Sequence, residues 1–370
     1  MKTAQLSMER RRWLAKGTAL CVAGGGPFWA LSHASATEAR FEALKRPALV
    51  VRQPGKAALL AASVAGSRIV AVGERGVVAL SDDGGKSWRQ ARIVPTSATL
   101  TGVQFVDGSN GWAIGHGGVI LATTDGGEQW LLQADGRVLA ERAKAASEAR
   151  GAAGDTRAAA LLKEATLLVA DGPDKPLLDL HFTDAQHGVV IGAYNLFFET
   201  KDGGKTWASA LDRLDNPKSQ HLYAIHTRGD TWLLAGEQGL LLRSRDGGKS
   251  FQRLASPYAG SWFALAASAQ GEWIVAGLRG HVFRSTDDGD HWAAVHGAPP
   301  ASFVSATALP DGSVLLANQA GQIFTCKGTG ALVALPAPNL PPLSQVLPLA
   351  GGDLLTLGLG GAIRLPGKST

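Results

Sequence analysis

One pattern returns along the chain and limits what it can fold into: a Gly-x-x-Gly turn, a short apolar run, then an Asp-Gly-Gly-like turn and an aromatic residue. The first glycines of these turns are Gly73, Gly115, Gly192, Gly236, Gly277 and Gly358, with Asn318 standing in once. Successive spacings are 42, 77, 44, 41, 41 and 40 residues, so only one gap departs from a period near 41 and must hold an insertion. Seven units result. Residues 101–132 show the unit best: Thr101–Val106 alternates, Gly111-Trp-Ala-Ile114 follows a polar turn, Val119–Thr123 follows Gly118, and Gln129–Leu132 follows Asp125-Gly-Gly127. Four short strands in this length make a propeller blade, which leaves two faces uncovered until blades stack around an axis and the ring closes. The expected fold is all-β, a seven-bladed β-propeller over residues 46–365.

The seventh unit stops after Gly361–Leu365 with no fourth strand, while Ala48-Leu-Val-Val-Arg52 precedes the first unit without belonging to it. Ala48–Arg52 is therefore expected to supply the outer strand of the last blade and remove its exposed edge.

Five units carry the turn nearly complete: Ser81–Trp88, Thr123–Trp130, Thr200–Trp207, Ser244–Phe251 and Ser285–Trp292. They match the Asp-box, or BNR repeat, Ser-x-Asp-x-Gly-x-Thr-Trp. Aspartate and hydroxyl oxygens bond turn N–H groups, glycine takes the positive φ, and the aromatic wedges between blades. Asp83, Asp125, Asp202, Asp246 and Asp287 are thus read as structural. Gly248-Lys-Ser250 is not a phosphate loop, since Arg243 stands where its first glycine is required. Asp287–Asp290 lacks a calcium loop, and His221 and His226 lie at odd separation on one strand. No metal and no cofactor is expected.

The run Gly111–Gly127, Gly-Trp-Ala-Ile-Gly-His-Gly-Gly-Val-Ile-Leu-Ala-Thr-Thr-Asp-Gly-Gly, resembles the photosystem II stability/assembly factor family. Gly172–Asp179, Gly192-Ala-Tyr194, Asp215-Asn-Pro217 and Ala235-Gly-Glu237 are similar to its non-photosynthetic bacterial branch. The resemblance covers roughly residues 46–365. It implies a non-enzymatic seven-bladed propeller that acts on partner proteins. For the bacterial branch it implies a periplasmic accessory to membrane proteins, efflux-type transporters among them.

Residues 1–36 read as an export signal: Lys2, Arg10, Arg11, Arg12 and Lys16, an apolar stretch from Gly17 to Leu31, then Ala34-Ser-Ala36 before the cut. Arg10-Arg-Arg-Trp-Leu14 resembles the twin-arginine motif, and general secretion fits as well. The apolar stretch is shorter than the roughly 20 residues that a span requires. Removal lowers the formal charge from +5 to +1, so global charge points to no nucleic-acid partner. A periplasmic or secreted product with no membrane span is the expectation.

Residues 133–176 break the repeat and turn to Ala, Arg, Lys and Glu. Two helices fit, near Arg137–Arg150 and Asp155–Ala170, giving a helical hairpin between blades 2 and 3. Packing against the propeller wall and standing free as a docking arm both agree with the sequence. The insertion joins a fourth strand to the next first strand, so it shares a face with the turns between second and third strands, opposite the Asp-boxes. Resemblance to other propellers makes that the expected ligand face. Its turns carry Glu74, Arg75, His116, Tyr194, Asn195, Glu237, Gln238, Arg279 and Gln319, the expected partner-binding ring. The alternative is a sialidase-like glycoside hydrolase, since Asp-box propellers include such enzymes. Its carboxylate-binding arginines would include Arg75 and Arg279, and its nucleophile one of Tyr194, Tyr223 and Tyr258.

Overall fold

The computed structural model describes residues 41–367; residues 1–36, read above as an export signal, lie outside them. The described residues form seven antiparallel sheets in which sequential strands pair from the axis outward. Blade 1 is built from Leu59–Ala65, Arg68–Gly73, Val78–Ser81 and Arg89–Gln90. Five further blades repeat that order, and blade 7 holds only Leu343–Pro348, Leu354–Gly358 and Ile363–Leu365. Alternation puts Val70, Val72, Val78 and Leu80 in one blade interface and Ile69, Ala71 and Ala79 in the other. The core is therefore a ring of wedges, one between each pair of blades.

The missing outer strand of blade 7 is not supplied by Ala48–Arg52. Ala48 N–H donates to Val94 O (3.0 Å), Leu49 N–H to Arg75 O (3.1 Å) and Val51 N–H to Gln90 Oε1 (3.0 Å), so this segment runs over blade 1. The ring closes at the axis instead. Gln345 Oε1 accepts from Ala62 N–H (2.5 Å), its Nε2 donates to Ala62 O (3.3 Å), and Ser344 Oγ donates to Leu59 O (2.9 Å). Inner strands of adjacent blades have no ladder between them, so side chains supply the bonds. Gln104 does the same from blade 2, donating to Phe182 O and accepting its N–H.

The Asp-box turns are girders. In the first, Asp83 Oδ1 accepts from Lys86 and Ser87 N–H while Ser81 Oγ accepts from Gly85 N–H, and Trp88 Nε1 donates to Gly85 O (3.2 Å). Gly126 N–H of the second box donates to Ser109 O (3.0 Å), which fixes these turns on the face of the first-to-second-strand turns.

The insertion forms α1 (Gly136–Ala152) and α2 (Ala158–Asp171). Asp135 caps α1 by accepting from Arg137 and Val138 N–H; Asp155 accepts from Arg157 N–H just before α2. The hairpin packs on the wall. Leu139, Ala140, Ala143, Ala165 and Leu168 join one core cluster with Leu196 and Leu211 of blade 3. Arg150 pairs with Asp212, and Ser219 Oγ donates to Glu164 Oε1 (2.8 Å).

Candidate functional site at the channel mouth

The face opposite the Asp-boxes is organised by a bond that recurs in six blades. The first residue of each second-to-third-strand turn donates its N–H to the carbonyl just before the inner strand: Glu74 to Ala58, His116 to Thr99, Ala193 to Pro176, Glu237 to His221, Leu278 to Ser261 and Gln319 to Ser302. In five of these blades the residue before the turn is a glycine packed against that carbonyl, where a Cβ on Gly73 would lie 2.0 Å from Ala58 O; blade 6 carries Asn318 there. The next residue is thrown into the left-handed region: Arg75 (φ 54°), Tyr194 (φ 53°), Gln238 (φ 51°) and Arg279 (φ 57°), with Gly117 at the same place in blade 2. Three of these are tied to the following blade. Tyr194 N–H donates to His221 Nδ1 (2.8 Å), Gln238 N–H to Ser261 Oγ and Arg279 N–H to Ser302 Oγ (3.3 Å each). Four large side chains held at positive φ, each at a cost of about 1–3 kcal/mol, all project outward.

Arg75, His116, Tyr194, Gln238, Arg279 and Gln319 are exposed around this rim, and Glu237 is half-buried. Among the described residues, neither Arg75 nor Arg279 forms an ion pair. Asn195 differs. It is buried, and its Oδ1 accepts from Asn216 Nδ2 (2.8 Å), so it braces the turn from inside. Leu49 and Val50, which the crossing N-terminal segment exposes at blade 1, and Leu359 of blade 7 add apolar surface to the rim.

Inside the rim lies a second ring. Every inner strand has a register shift next to its opening residue, and the shifted residues are Leu60, Thr101, Leu178, Tyr223, Phe263, Val304 and Ser344. All seven line the channel mouth, a cavity of about 630 Å³. Edge-to-face contacts run from rim to axis: Tyr194 to His221 (4.7 Å between ring centres), His221 to Tyr223 (6.0 Å) and Tyr223 to Phe263 (5.2 Å). Lys175 Nζ sits over the Tyr194 ring at 4.9 Å. The sequence places Tyr194 in a rim turn but does not announce this collar. Its signal was available as the residue after the apolar one that opens each inner strand.

Below the collar the channel turns polar, with Gln104, Asp179, His181, His226 and Gln345 on its wall. Asp179 stands at the position of Gln345, four blades on: Asp179 pairs across to Ile191 as Gln345 does to Leu357. Its Oδ2 accepts from Ile225 N–H (2.9 Å) and its Oδ1 from Leu180 N–H (2.8 Å). Burial raises its carboxyl to about 7, against the pull of those two N–H groups. Burial lowers His181, and lowers His226 to about 4 with help from the neighbouring His181.

The tyrosines of the hydrolase reading are dispersed. Tyr194 is on the rim, Tyr223 in the collar, and Tyr258 is stacked on His281 with ring centres 3.8 Å apart. Glu237 Oε2 accepts from His221 N–H (3.2 Å).

A family model described as the photosynthesis system II assembly factor YCF48 matches residues 166–332, from within α2 to just before the outer strand of blade 6. Over these residues the chain is distantly similar to the Ycf48/HCF136 assembly factors. The photosystem II assembly lipoprotein Ycf48 of Synechococcus sp. (strain CC9902) is 38% identical over 77 residues, 21% of this chain and 23% of that protein. The chloroplastic photosystem II stability/assembly factor HCF136 of Oryza sativa subsp. japonica is 32% identical over 95 residues, 25% of this chain and 23% of that protein. The chain thus matches about a quarter of the length of these curated relatives. A solved structure of YCF48 bound to D1 peptide superposes with a TM-score of 0.62 at 16% identity, covering 88% of this chain and all of that one. At that identity the likeness establishes the Ycf48-type propeller fold.

Proposed function

We propose that this protein is a non-catalytic, exported propeller scaffold that holds a segment of a partner protein across the channel mouth. The observation that carries the reading is the largely apolar collar on one face, formed by a bulged residue from each of seven blades and bordered by outward-held rim side chains. Backbone strain that holds exposed side chains outward is what a recognition surface costs. A solved relative, YCF48, is bound to D1 peptide, which supports a peptide as the kind of ligand. The resemblance to the bacterial branch makes a membrane protein, such as an efflux-type transporter, the partner class. Among the described residues no helix is long and apolar enough to cross a membrane.

Site-directed photocrosslinking from the collar in the native host, followed by mass spectrometry, tests the reading. One partner should be captured by the parent protein and lost when Arg75, Tyr194 and Arg279 are replaced together by alanine. Unchanged capture refutes it, and turnover in a chromogenic-glycoside screen would establish the hydrolase instead. Export is tested by sequencing the amino terminus of the native protein, which should begin at Thr37.

A further inference from the structure

The channel wall below the collar is asymmetric in charge. Among the described residues lining the two connected parts of the channel, Asp179 is the one carboxylate, and there is no lysine or arginine. Its two hydrogen bonds come from neutral backbone groups, so no cation offsets the carboxylate. The stitching role does not require a charge, because Gln345 does the equivalent work with an amide and bonds both N–H and O of its neighbour. A carboxylate kept where an amide suffices is a cost with no structural return. Directly above it, Leu178, Tyr223 and Phe263 form an apolar sleeve, and the latter two rings can face a cation.

We propose that the channel mouth is a socket for a basic side chain of the docked segment, its aliphatic stem against Leu178, Tyr223 and Phe263 and its cationic head on the Asp179 carboxylate. This rests on the reading that a partner segment crosses the mouth, and names the residue it inserts. The groups that line the channel about Asp179 are His181 on the same strand, His226 and the Ile225 N–H on blade 4, and Tyr223 at the mouth. Burial keeps both channel histidines in their neutral form near pH 7, so they do not compete for the carboxylate.

Ligand-observed NMR titration of the intact protein with the capped heptapeptides Gly-Ser-Gly-X-Gly-Ser-Gly tests the socket, with X either lysine or norleucine, which share a stem and differ in the ammonium. At pH 8 the lysine peptide should bind on the order of tenfold more tightly. The advantage should shrink towards pH 6, as Asp179 takes up a proton, and vanish in Asp179→Asn, which keeps the acceptor for Ile225 N–H. Tyr223→Leu should weaken both peptides together. Equal binding of the two peptides, an advantage that survives in Asp179→Asn, or no binding of either overturns the socket. If Asp179→Asn still crosslinks the native partner as the parent does, the socket fails while the scaffold reading stands. If the parent captures no partner yet prefers lysine, the scaffold reading fails alone.

Discussion

Replacing Asp179 by asparagine should stabilise the propeller above neutral pH and leave it almost unchanged in acid. Folding moves this carboxyl from an ordinary 3.8 to about 7, so the folded state holds the proton more tightly than the unfolded chain does. Stability is then fullest below the unfolded value and falls as pH rises through 7. The difference is about three pKa units, and at 1.36 kcal/mol per unit the loss by pH 8.5 is at most ~4 kcal/mol. Asparagine cannot ionise, still accepts from Ile225 N–H, and offers an N–H as Gln345 does to Ala62 O. Urea denaturation of both proteins at pH 4 and pH 8.5 measures the effect: nearly coincident midpoints in acid, and a higher midpoint for Asp179→Asn in base. Parallel pH dependences in the two proteins would show that the carboxylate is not desolvated on the channel wall and would refute the reasoning.

Three further outcomes are expected. Gln345→Ala removes the two bonds that this side chain makes from blade 7 to Ala62 of blade 1 and should cost about 1–3 kcal/mol in chemical denaturation, with faster proteolysis in blades 1 and 7 before the rest. The Asp-box carboxylates titrate low; Asp202 lies at about 2 because Thr206 donates to it from both hydroxyl and N–H, so it holds its turn above pH 4 and releases it as pH falls through 2. Asp202→Ala should therefore lower the melting temperature at pH 7 and flatten its dependence below pH 4, read by circular dichroism. Leu139→Ala opens a cavity where the hairpin meets blade 3 and should cost about 2–5 kcal/mol, whereas Val138→Ala on the exposed side of α1 should cost under about 0.5 kcal/mol by the same assay.

Blade number, the position of the insertion and the face it shares with the rim were legible because each rests on residues close in sequence. The Asp-box is a bond network within eight residues, Ser81–Trp88 for example, and reads directly from the motif. Ring closure was misread because an unpaired apolar run near the start resembles a missing outer strand. Only in three dimensions does the bond between Ala62 and Gln345, 283 residues apart, replace it. Asn195 was taken for a rim contact because its turn is exposed, yet the chain arriving at Asn216 turns its amide inward.

Sequence by itself determined the repeated unit, its turn chemistry and the seven-fold count, since periodic short-range bonding and patterning are written into consecutive residues. Tertiary structure decided which residues meet at the axis. The collar from Leu60 to Ser344 and the enclosed carboxyl of Asp179 exist only once seven similar strands converge, because a channel is a property of the ring and of no single blade.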